Sequence, residues 1–207
     1  MRRVSIWIIA ALALAGCASI IAPKPTADLA ALKSGAYKLD KRHAAVLFRI
    51  DHLGFSDYVG RFETLDAALD FDPEDPSSAR IEAIVDIASL DVADDDFAET
   101  LRGDGWFDAA SFPQAAFRST AVEAISSGDG ATRADVVGEL TLKGITRPMT
   151  LEATFNGGDR DVLRGNAYVV GFSAVGAFDR TEFGLDKFAG PIGETVRLEI
   201  EAEFIRE

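Results

Sequence analysis

Few residues of this 207-residue chain could carry chemistry: a single cysteine, Cys17, and two histidines, His43 and His52. On one continuous strand the two histidines would have opposite parity and point to opposite sides of a sheet, so we do not expect them to share a metal ion. His52 lies on the apolar parity beside Leu53-Gly54. Two interpretations stay open: a core histidine that holds a bend, or a hydrogen-bond partner for the polar end of a bound molecule.

No motif of a catalytic centre accompanies these residues. The sequence contains no Gly-x-Ser-x-Gly, His-Glu-x-x-His or P-loop pattern. Asp94-Asp95-Asp96 lacks the ligand spacing and the downstream glutamate of an EF-hand loop. We therefore expect no catalytic residue, no metal and no cofactor. The alternative is an enzyme that acts on a bound lipid, with His52 as general base.

Cys17 closes an apolar N-terminal segment. Met1-Arg2-Arg3 is basic, and residues 4–15 form an apolar run shorter than the roughly 20 residues that span a bilayer. Leu14-Ala15-Gly16-Cys17 resembles the bacterial lipobox, whose cysteine becomes the first residue and carries acyl chains such as palmitate. The alternative is an ordinary cleaved signal peptide with a chance cysteine.

The lipobox resemblance implies a domain plan and a location. Residues 1–16 are a lipoprotein signal peptide, 17–34 the acylated cysteine with a flexible tether, and 35–207 the folded domain. The protein is then anchored in the bacterial cell envelope, facing the periplasm. Ala18 replaces the aspartate that retains many lipoproteins in the inner membrane, so we expect the outer membrane.

Charge limits the partners. The chain has 34 acidic and 21 basic residues, a formal net charge of −13. Such a chain is repelled by nucleic acid and by anionic headgroups, so we expect no nucleic-acid partner. Attachment to a membrane must then come from the lipid on Cys17 rather than from electrostatic attraction.

The sequence pattern of the folded domain predicts β-strands. Ala44, Val46, Phe48 and Ile50 alternate with polar or small residues, and residues 196–204 alternate most regularly of all. We predict an all-β, extended antiparallel barrel of roughly eight or nine strands, with a β-bulge near residues 63–64 and a hairpin turn at 156–158. A short helical insertion, residues 94–112, is expected to lie across one mouth of the barrel.

The inward-facing parities give the candidate ligand-binding residues. Small residues among the large ones leave room for a chain, and the alternative is a solid core in a structural envelope protein. These small residues are Ala67, Ala83, Ala153, Ala174 and Gly176. The predicted ligand contacts are Phe48, Ile50, His52, Val85, Ile87, Trp106, Phe107, Leu140, Leu142, Leu151, Phe172, Ala174, Leu198 and Ile200.

Several motifs, taken in order, match one family. Residues 43–54 read His-x-x-Val-x-Phe-x-Ile-x-His-Leu-Gly, and residues 138–148 read Gly-x-Leu-Thr-x-x-Gly-x-Thr-x-Pro. Residues 180–184 read Arg-x-x-Phe-Gly. From Tyr37 to Phe204 the chain resembles the YceI-like proteins, the bacterial lipid- and polyisoprenoid-binding domain.

This resemblance implies a lipocalin-like barrel with a long apolar pore. The implied ligand is a long-chain isoprenoid, an isoprenoid quinone or another amphiphilic lipid, held for carriage, storage or protection of the envelope under stress. No catalytic residues are established for the family. A homodimer is left open.

Overall fold

The computed structural model describes residues 23–128 and 131–207. Within these ranges the chain forms ten strands and one α-helix. They are β1 Gly35–His52, β2 Ser56–Phe62, β3 Leu65–Phe71, β4 Arg80–Asp86, β5 Leu90–Val92, α1 Asp95–Arg102, β6 Gln114–Gly128, β7 Ala131–Leu142, β8 Ile145–Asp161, β9 Ala167–Asp179 and β10 Ile192–Arg206.

Eight strands close into an antiparallel barrel. Each neighbouring pair is antiparallel, and β10 returns to pair with β1 from Tyr37–Arg206 to His52–Ile192. The closed set is β1, β3, β4, β6, β7, β8, β9 and β10, while β2 and β5 extend the sheet beyond it. The predicted all-β antiparallel barrel is confirmed. Closure leaves these eight strands without a free edge.

The barrel has two unlike ends. The N-terminal end carries residues 23–34, here called the N-terminal segment, and the β3–β4, β6–β7 and β8–β9 connections. The helical end carries α1 and the β1–β2, β7–β8 and β9–β10 connections. Within the described residues, no helix has the length and apolarity needed to cross a membrane.

Strand β1 runs without a break from Gly35 to His52. Its pairing with β10 shifts between Leu39 and Ala44, so the inward parity changes from odd to even residues. Asp40 holds this bulge, because its carboxylate accepts a hydrogen bond of 3.2 Å from the backbone N–H of Arg42. The chain therefore bends at residues 40–43 without leaving the sheet.

The buried Asp40 carboxylate is the centre of an ion cluster. Nδ1 of His43 lies 2.8 Å from it, and the guanidinium of Arg164 donates to it at 2.9 Å. Arg164 also pairs with Asp161 at 2.5 Å and with Glu203 at 2.7 Å. Burial alone would raise the pKa of Asp40, but the hydrogen bonds from His43, Arg164 and the backbone outweigh it and lower that pKa to about 2.

Residues 63–64 interrupt the sheet rather than bulging within a strand. Strand β2 ends at Phe62 and β3 begins at Leu65. The backbone N–H groups of Glu63 and Thr64 donate to the carbonyl and hydroxyl oxygens of Ser89, at 3.1 and 2.9 Å. Since the facing strand is interrupted there too, β2 and β5 turn away together and form a platform for α1.

The predicted helix is confirmed as α1. The Asp94 side chain accepts a hydrogen bond from the backbone N–H of Phe97, which caps the helix N-terminus. Ala98 and Leu101 are buried against Leu90 and Val92 of β5. The remainder of the insertion, through residue 113, is irregular.

The predicted hairpin turn at residues 156–158 is wrong, because β8 continues to Asp161. The N-terminal segment lies against it there, and the backbone groups of Thr26 and Gly158 exchange two hydrogen bonds of 3.1 and 3.0 Å. Gly157 has φ +128°, and a Cβ there would be 2.7 Å from Cβ of Pro25. Because Gly157 and Gly158 have no side chains, the N-terminal segment can approach the backbone of β8 closely. In a sequence pattern, a pair of glycines with this role looks the same as a turn.

The predicted tether, residues 17–34, includes the N-terminal segment, and the structure places that segment against the barrel. Leu32 is buried in the same apolar cluster as Tyr37 and Phe204. Lys24 donates its backbone N–H to the carboxylate of Asp159 at 2.8 Å. The predicted signal peptide and Cys17 lie outside the described residues.

Candidate functional site

The interior of the barrel encloses an apolar cavity of about 240 Å³. This volume is slightly below the range of about 300–1,000 Å³ that is usual for ligand pockets, so it suits a narrow chain better than a broad molecule. Half of the predicted ligand-binding residues line it. They are Val85, Leu140, Leu151, Phe172, Ala174, Leu198 and Ile200.

Small side chains between large ones create this space. Ala67, Ala83, Ala153 and Ala174, all predicted as small spacers, line the cavity. Gly176, also predicted to leave room, does not: a Cβ at this position would be 2.7 Å from Cδ2 of Leu151, with the Met149 methyl at 2.8 Å. The neighbouring side chains already fill the space over this glycine.

The cavity wall offers few polar groups. Among the described residues its polar lining consists of Arg80, Ser119, Thr132 and Arg133, and no acidic residue of these ranges lines it. The Ser119 hydroxyl accepts the backbone N–H of Ile81 at 2.9 Å, and the Thr132 hydroxyl lies 3.0 Å from that of Ser127. With both hydroxyls already engaged, the wall offers mainly apolar contacts to anything that enters the cavity.

The cavity opens toward the N-terminal end. Leu29 of the N-terminal segment lines it, together with Pro76 and Ala79 of the β3–β4 connection. Ile125, exposed near the end of β6, lines it as well. An apolar chain could enter here without passing between hydrogen-bonded strands.

The helical end of the cavity is closed by packed side chains. Ile87, Leu142 and Phe183 are buried in one cluster, with Phe107 packed against it. The ring of Phe107 meets that of Phe62 edge to face, with centroids 6.3 Å apart. Three predicted ligand contacts, Ile87, Leu142 and Phe107, thus form the closure of the cavity rather than its wall.

Four other predicted contacts lie beyond this closure. Phe48 and Trp106 pack against the cluster under α1, and Ile50 is half-buried on the same strand as Phe48. His52 is exposed at the last position of β1, with its ring 6.3 Å from that of Tyr58. The interpretation of His52 as a core histidine is wrong, because the strand ends there and its side chain faces solvent.

Sequence reasoning missed part of the cavity wall. Strand β3 carried a visible signal, since Leu65, Leu69 and Phe71 share the parity of Ala67, and all four line the cavity. Leu29 carried none, because it belongs to a single turn of 3-10 helix, Leu29–Ala31, in a segment without periodicity. An open cleft of about 590 Å³ beside the β3–β4 connection is lined largely by polar residues and does not suit an apolar ligand. A second open cleft, of about 400 Å³, combines charged residues such as Asp161 and Arg164 with apolar ones such as Val169.

The candidate metal chemistry is equally sparse in the described part of the chain. There, no three residues among His, Cys, Asp and Glu are grouped so that they could hold a metal ion. His43 faces Asp40 on one side of the barrel, while His52 lies at the helical end. The two histidines are not brought together.

Similar proteins were found both by sequence and by structure, and they point to the same family. The chain is 36% identical over 173 residues to the protein YceI of Salmonella arizonae, covering 83% of this chain and 87% of that protein. It is also 36% identical over 172 residues to a UPF0312 protein of Yersinia pestis, covering 82% of this chain and 86% of that protein.

Solved structures share the fold. BcnA of Burkholderia cenocepacia superposes with a TM-score of 0.69 at 23% identity, over 80% of this chain and 98% of that one. A polyisoprenoid binding domain from Saccharophagus degradans superposes with a TM-score of 0.62 at 14% identity, over 83% and 98%. The family model for the YceI-like domain matches residues 37–204, so the chain belongs to the YceI-like family.

Proposed function

We propose that this protein binds one long apolar ligand inside the barrel, a polyisoprenoid, an isoprenoid quinone or a similar amphiphile. The observation that carries the proposal is the apolar cavity, open at one end and closed at the other. The Saccharophagus domain of the same fold, described as polyisoprenoid binding, supports this class of ligand. Carriage, storage and protection of the envelope all follow from holding such a molecule out of water.

Chain length should decide which lipids bind. Burial contributes about 0.8 kcal/mol per methylene-sized group. Association costs roughly 4–15 kcal/mol in lost freedom. On the order of five to twenty buried groups are therefore needed before binding becomes favourable. Long isoprenoids meet this requirement and short alcohols do not.

Binding rather than turnover is the function that the geometry supports. The rival mechanism required His52 as a general base beside a bound lipid. His52 is instead exposed at the helical end, and Ile87, Leu142 and Phe183 separate that end from the cavity. A general base must lie within hydrogen-bond reach of the proton that it removes.

The direct test is mass spectrometry of an organic extract from the purified domain, residues 23–207. We expect a long-chain isoprenoid or quinone, and the delipidated domain should gain thermal stability when a long-chain quinone is added. A matched short-chain quinone is the control and should have little effect. Equal shifts with both quinones, or none with either, would count against a chain held in the cavity.

We further propose that the mature protein is anchored through acylated Cys17 to the periplasmic face of the outer membrane. The Leu-Ala-Gly-Cys sequence and the absence of any other cysteine support this. Cys17→Ser should release the protein from membranes or leave it unprocessed. Sucrose-gradient fractionation decides between the two membranes, and normal processing with unchanged membrane attachment of the variant would refute the anchor.

A further inference from the structure

The entry point of the chain fixes which end of the barrel lies near the anchor. The described structure starts at Pro23, and Lys24 is already hydrogen-bonded to Asp159 of β8. The exchange of hydrogen bonds between Thr26 and Gly158 holds the following residues to the same strand. The chain therefore leaves toward Cys17 from the N-terminal end of the barrel.

The connection to Cys17 is short compared with the barrel. Lys24 is the seventh residue after Cys17. At no more than about 3.4 Å per residue, the connection spans roughly 24 Å when fully extended. The 18 residues of β1 cover roughly 45 Å along a barrel axis when their rise and the usual strand tilt are combined. While the N-terminal segment is bound to β8, the connection is too short for the helical end of the barrel to face the bilayer that holds Cys17.

The N-terminal end also presents exposed apolar side chains. Val162 and Leu163, in the turn after β8, are 51% and 74% exposed. This turn follows directly on the part of β8 where Lys24 and Thr26 are bound. Scattered exposed apolar residues are ordinary. These two, however, are consecutive and share their end of the barrel with the cavity opening.

We propose that the N-terminal end of the barrel rests on the anchoring bilayer, with Val162 and Leu163 in its interface and the cavity opening toward the lipid. A long apolar molecule then passes between bilayer and cavity with little exposure to water, which removes the largest barrier to its transfer. This inference rests on the proposed lipid binding and on the Cys17 anchor. The lipid anchor supplies the attachment that the acidic chain would not obtain from anionic headgroups.

A second apolar surface makes the proposal testable. Leu53, Phe55 and Phe188 are exposed at the helical end, and Phe55 is 87% exposed. Leu53 and Phe188 have φ values of 60° and 56°, and Leu53 donates its N–H to the Pro191 carbonyl at 3.2 Å. By apolar exposure alone this surface would be the better membrane contact. The length of the connection to Cys17 and the position of the cavity opening favour the other end.

The experiment compares one residue from each end. With Cys17 acylated as proposed, Leu163→Cys or Phe55→Cys adds a single free thiol for a polarity-sensitive fluorophore. Each full-length, acylated variant is reconstituted into phosphatidylcholine vesicles containing a nitroxide-labelled lipid. We expect a blue shift and several-fold quenching of the label at Leu163, and water-like, unquenched emission from the label at Phe55.

Each other outcome overturns the proposal in a recognisable way. Quenching at Phe55 but not at Leu163 would place the helical end on the bilayer, and quenching at neither would leave the barrel free above it. A protein that fails to float with the vesicles would refute the anchor as well.

A functional readout separates the surface from the cavity. Leu163→Asp should slow extraction of ubiquinone from vesicles several-fold while leaving ubiquinone binding in detergent micelles unchanged, and Phe55→Asp is the matched control. Equal extraction rates for the two variants would overturn the proposal. If the parent protein does not bind ubiquinone in detergent micelles, the proposed function itself is refuted.

Discussion

The backbone groups of Thr26 and Gly158 exchange two hydrogen bonds that tie the N-terminal segment to β8, and the neighbouring Gly157 makes that approach possible. Gly157→Ala would place a Cβ 2.7 Å from Cβ of Pro25, on a backbone with φ +128°. We expect a loss of about 1–3 kcal/mol in the free energy of unfolding, with faster proteolysis near Lys24. Urea titration and limited trypsin digestion measure the two effects.

Gly171 is the matched control, because it is the cross-strand partner of Gly157. A Cβ on Gly171 would have its nearest neighbours at 3.8 and 3.9 Å, which is ordinary contact. Gly171→Ala should therefore leave the N-terminal segment in place and its trypsin sensitivity unchanged. The same digestion pattern in both variants would show that contact with Pro25 does not determine the docking.

Acid should weaken the barrel through Asp40. The folded-state pKa of Asp40 is lowered to about 2, whereas an unfolded aspartate has a pKa of about 3.9. A lowered folded-state pKa contributes stability above the unfolded value, and that contribution is lost as the pH falls from about 4 toward 2. The shift corresponds to about 2–3 kcal/mol, and the carboxylate is buried. Denaturation midpoints measured between pH 6 and pH 2.5 should show this loss.

Asp40→Asn should be less stable than the parent at pH 6 and should lose less stability across that interval. Its amide can still accept a hydrogen bond from Arg164, but it has no charge to lose. Glu74→Gln is the control, since Glu74 is exposed and its side chain has no partner among the described residues. If Asp40→Asn follows the parent curve in parallel, other carboxylates determine the acid sensitivity.

Arg180 holds the β9–β10 connection from inside. Its buried guanidinium donates to four backbone carbonyls, and burial lowers its pKa from the ordinary value. The acceptors are the carbonyls of Gly193 at 2.8 Å, Lys187 at 3.0 Å, Ile192 at 3.2 Å and Leu185. Arg180→Met should cost about 2–4 kcal/mol of stability, because the carbonyls lose their donors.

Arg180→Lys should recover only part of this loss, since an ammonium group has three donors and cannot reproduce the planar fork of a guanidinium. The control is Arg147→Met, because Arg147 is exposed and, among the described residues, its side chain donates only to the carbonyl of Thr146. Denaturant unfolding compares the three variants. A loss for Arg147→Met as large as that for Arg180→Met would remove the case for a carbonyl-binding role.

The fold was largely predictable because strand alternation is a local signal. The cleanest alternation, in residues 196–204, lies within β10, and Asp94 caps the predicted helix. The errors arose where distant chain segments decide the structure. The glycines at 157 and 158 were mistaken for a turn because their partner, Thr26, is far away in sequence.

The sequence predicted which strand residues face the interior of the barrel. It did not predict how far along the barrel axis each of them lies. Leu140 and Leu142 share one face of β7, yet the first lines the cavity and the second belongs to its closure. Parity distinguishes inside from outside, whereas depth depends on how β8 and the irregular insertion pack above each strand. His52 is a second example, because the alternation of residues along β1 does not show where the strand stops pairing with its neighbours.

Filling the cavity should abolish ligand binding while preserving the barrel. Ala174 lines the cavity midway along β9, between Ala153 and Ile200 on the neighbouring strands. Ala174→Phe would place an aromatic ring in a space of about 240 Å³. Such overpacking costs typically 1–3 kcal/mol, which a closed eight-stranded barrel should survive. Circular dichroism is expected to stay β-like, while the thermal shift with a long-chain quinone disappears.

Val175→Phe is the matched control for this variant, because Val175 is the next residue on β9 and is exposed on the outer face. Both variants add the same ring to the same strand, so any general effect of the aromatic side chain appears in both. We expect Val175→Phe to keep the quinone-dependent thermal shift of the parent. Retention of the shift by Ala174→Phe would place the ligand outside this cavity. Its loss in both variants would point to damage to β9 rather than to occupation of the cavity.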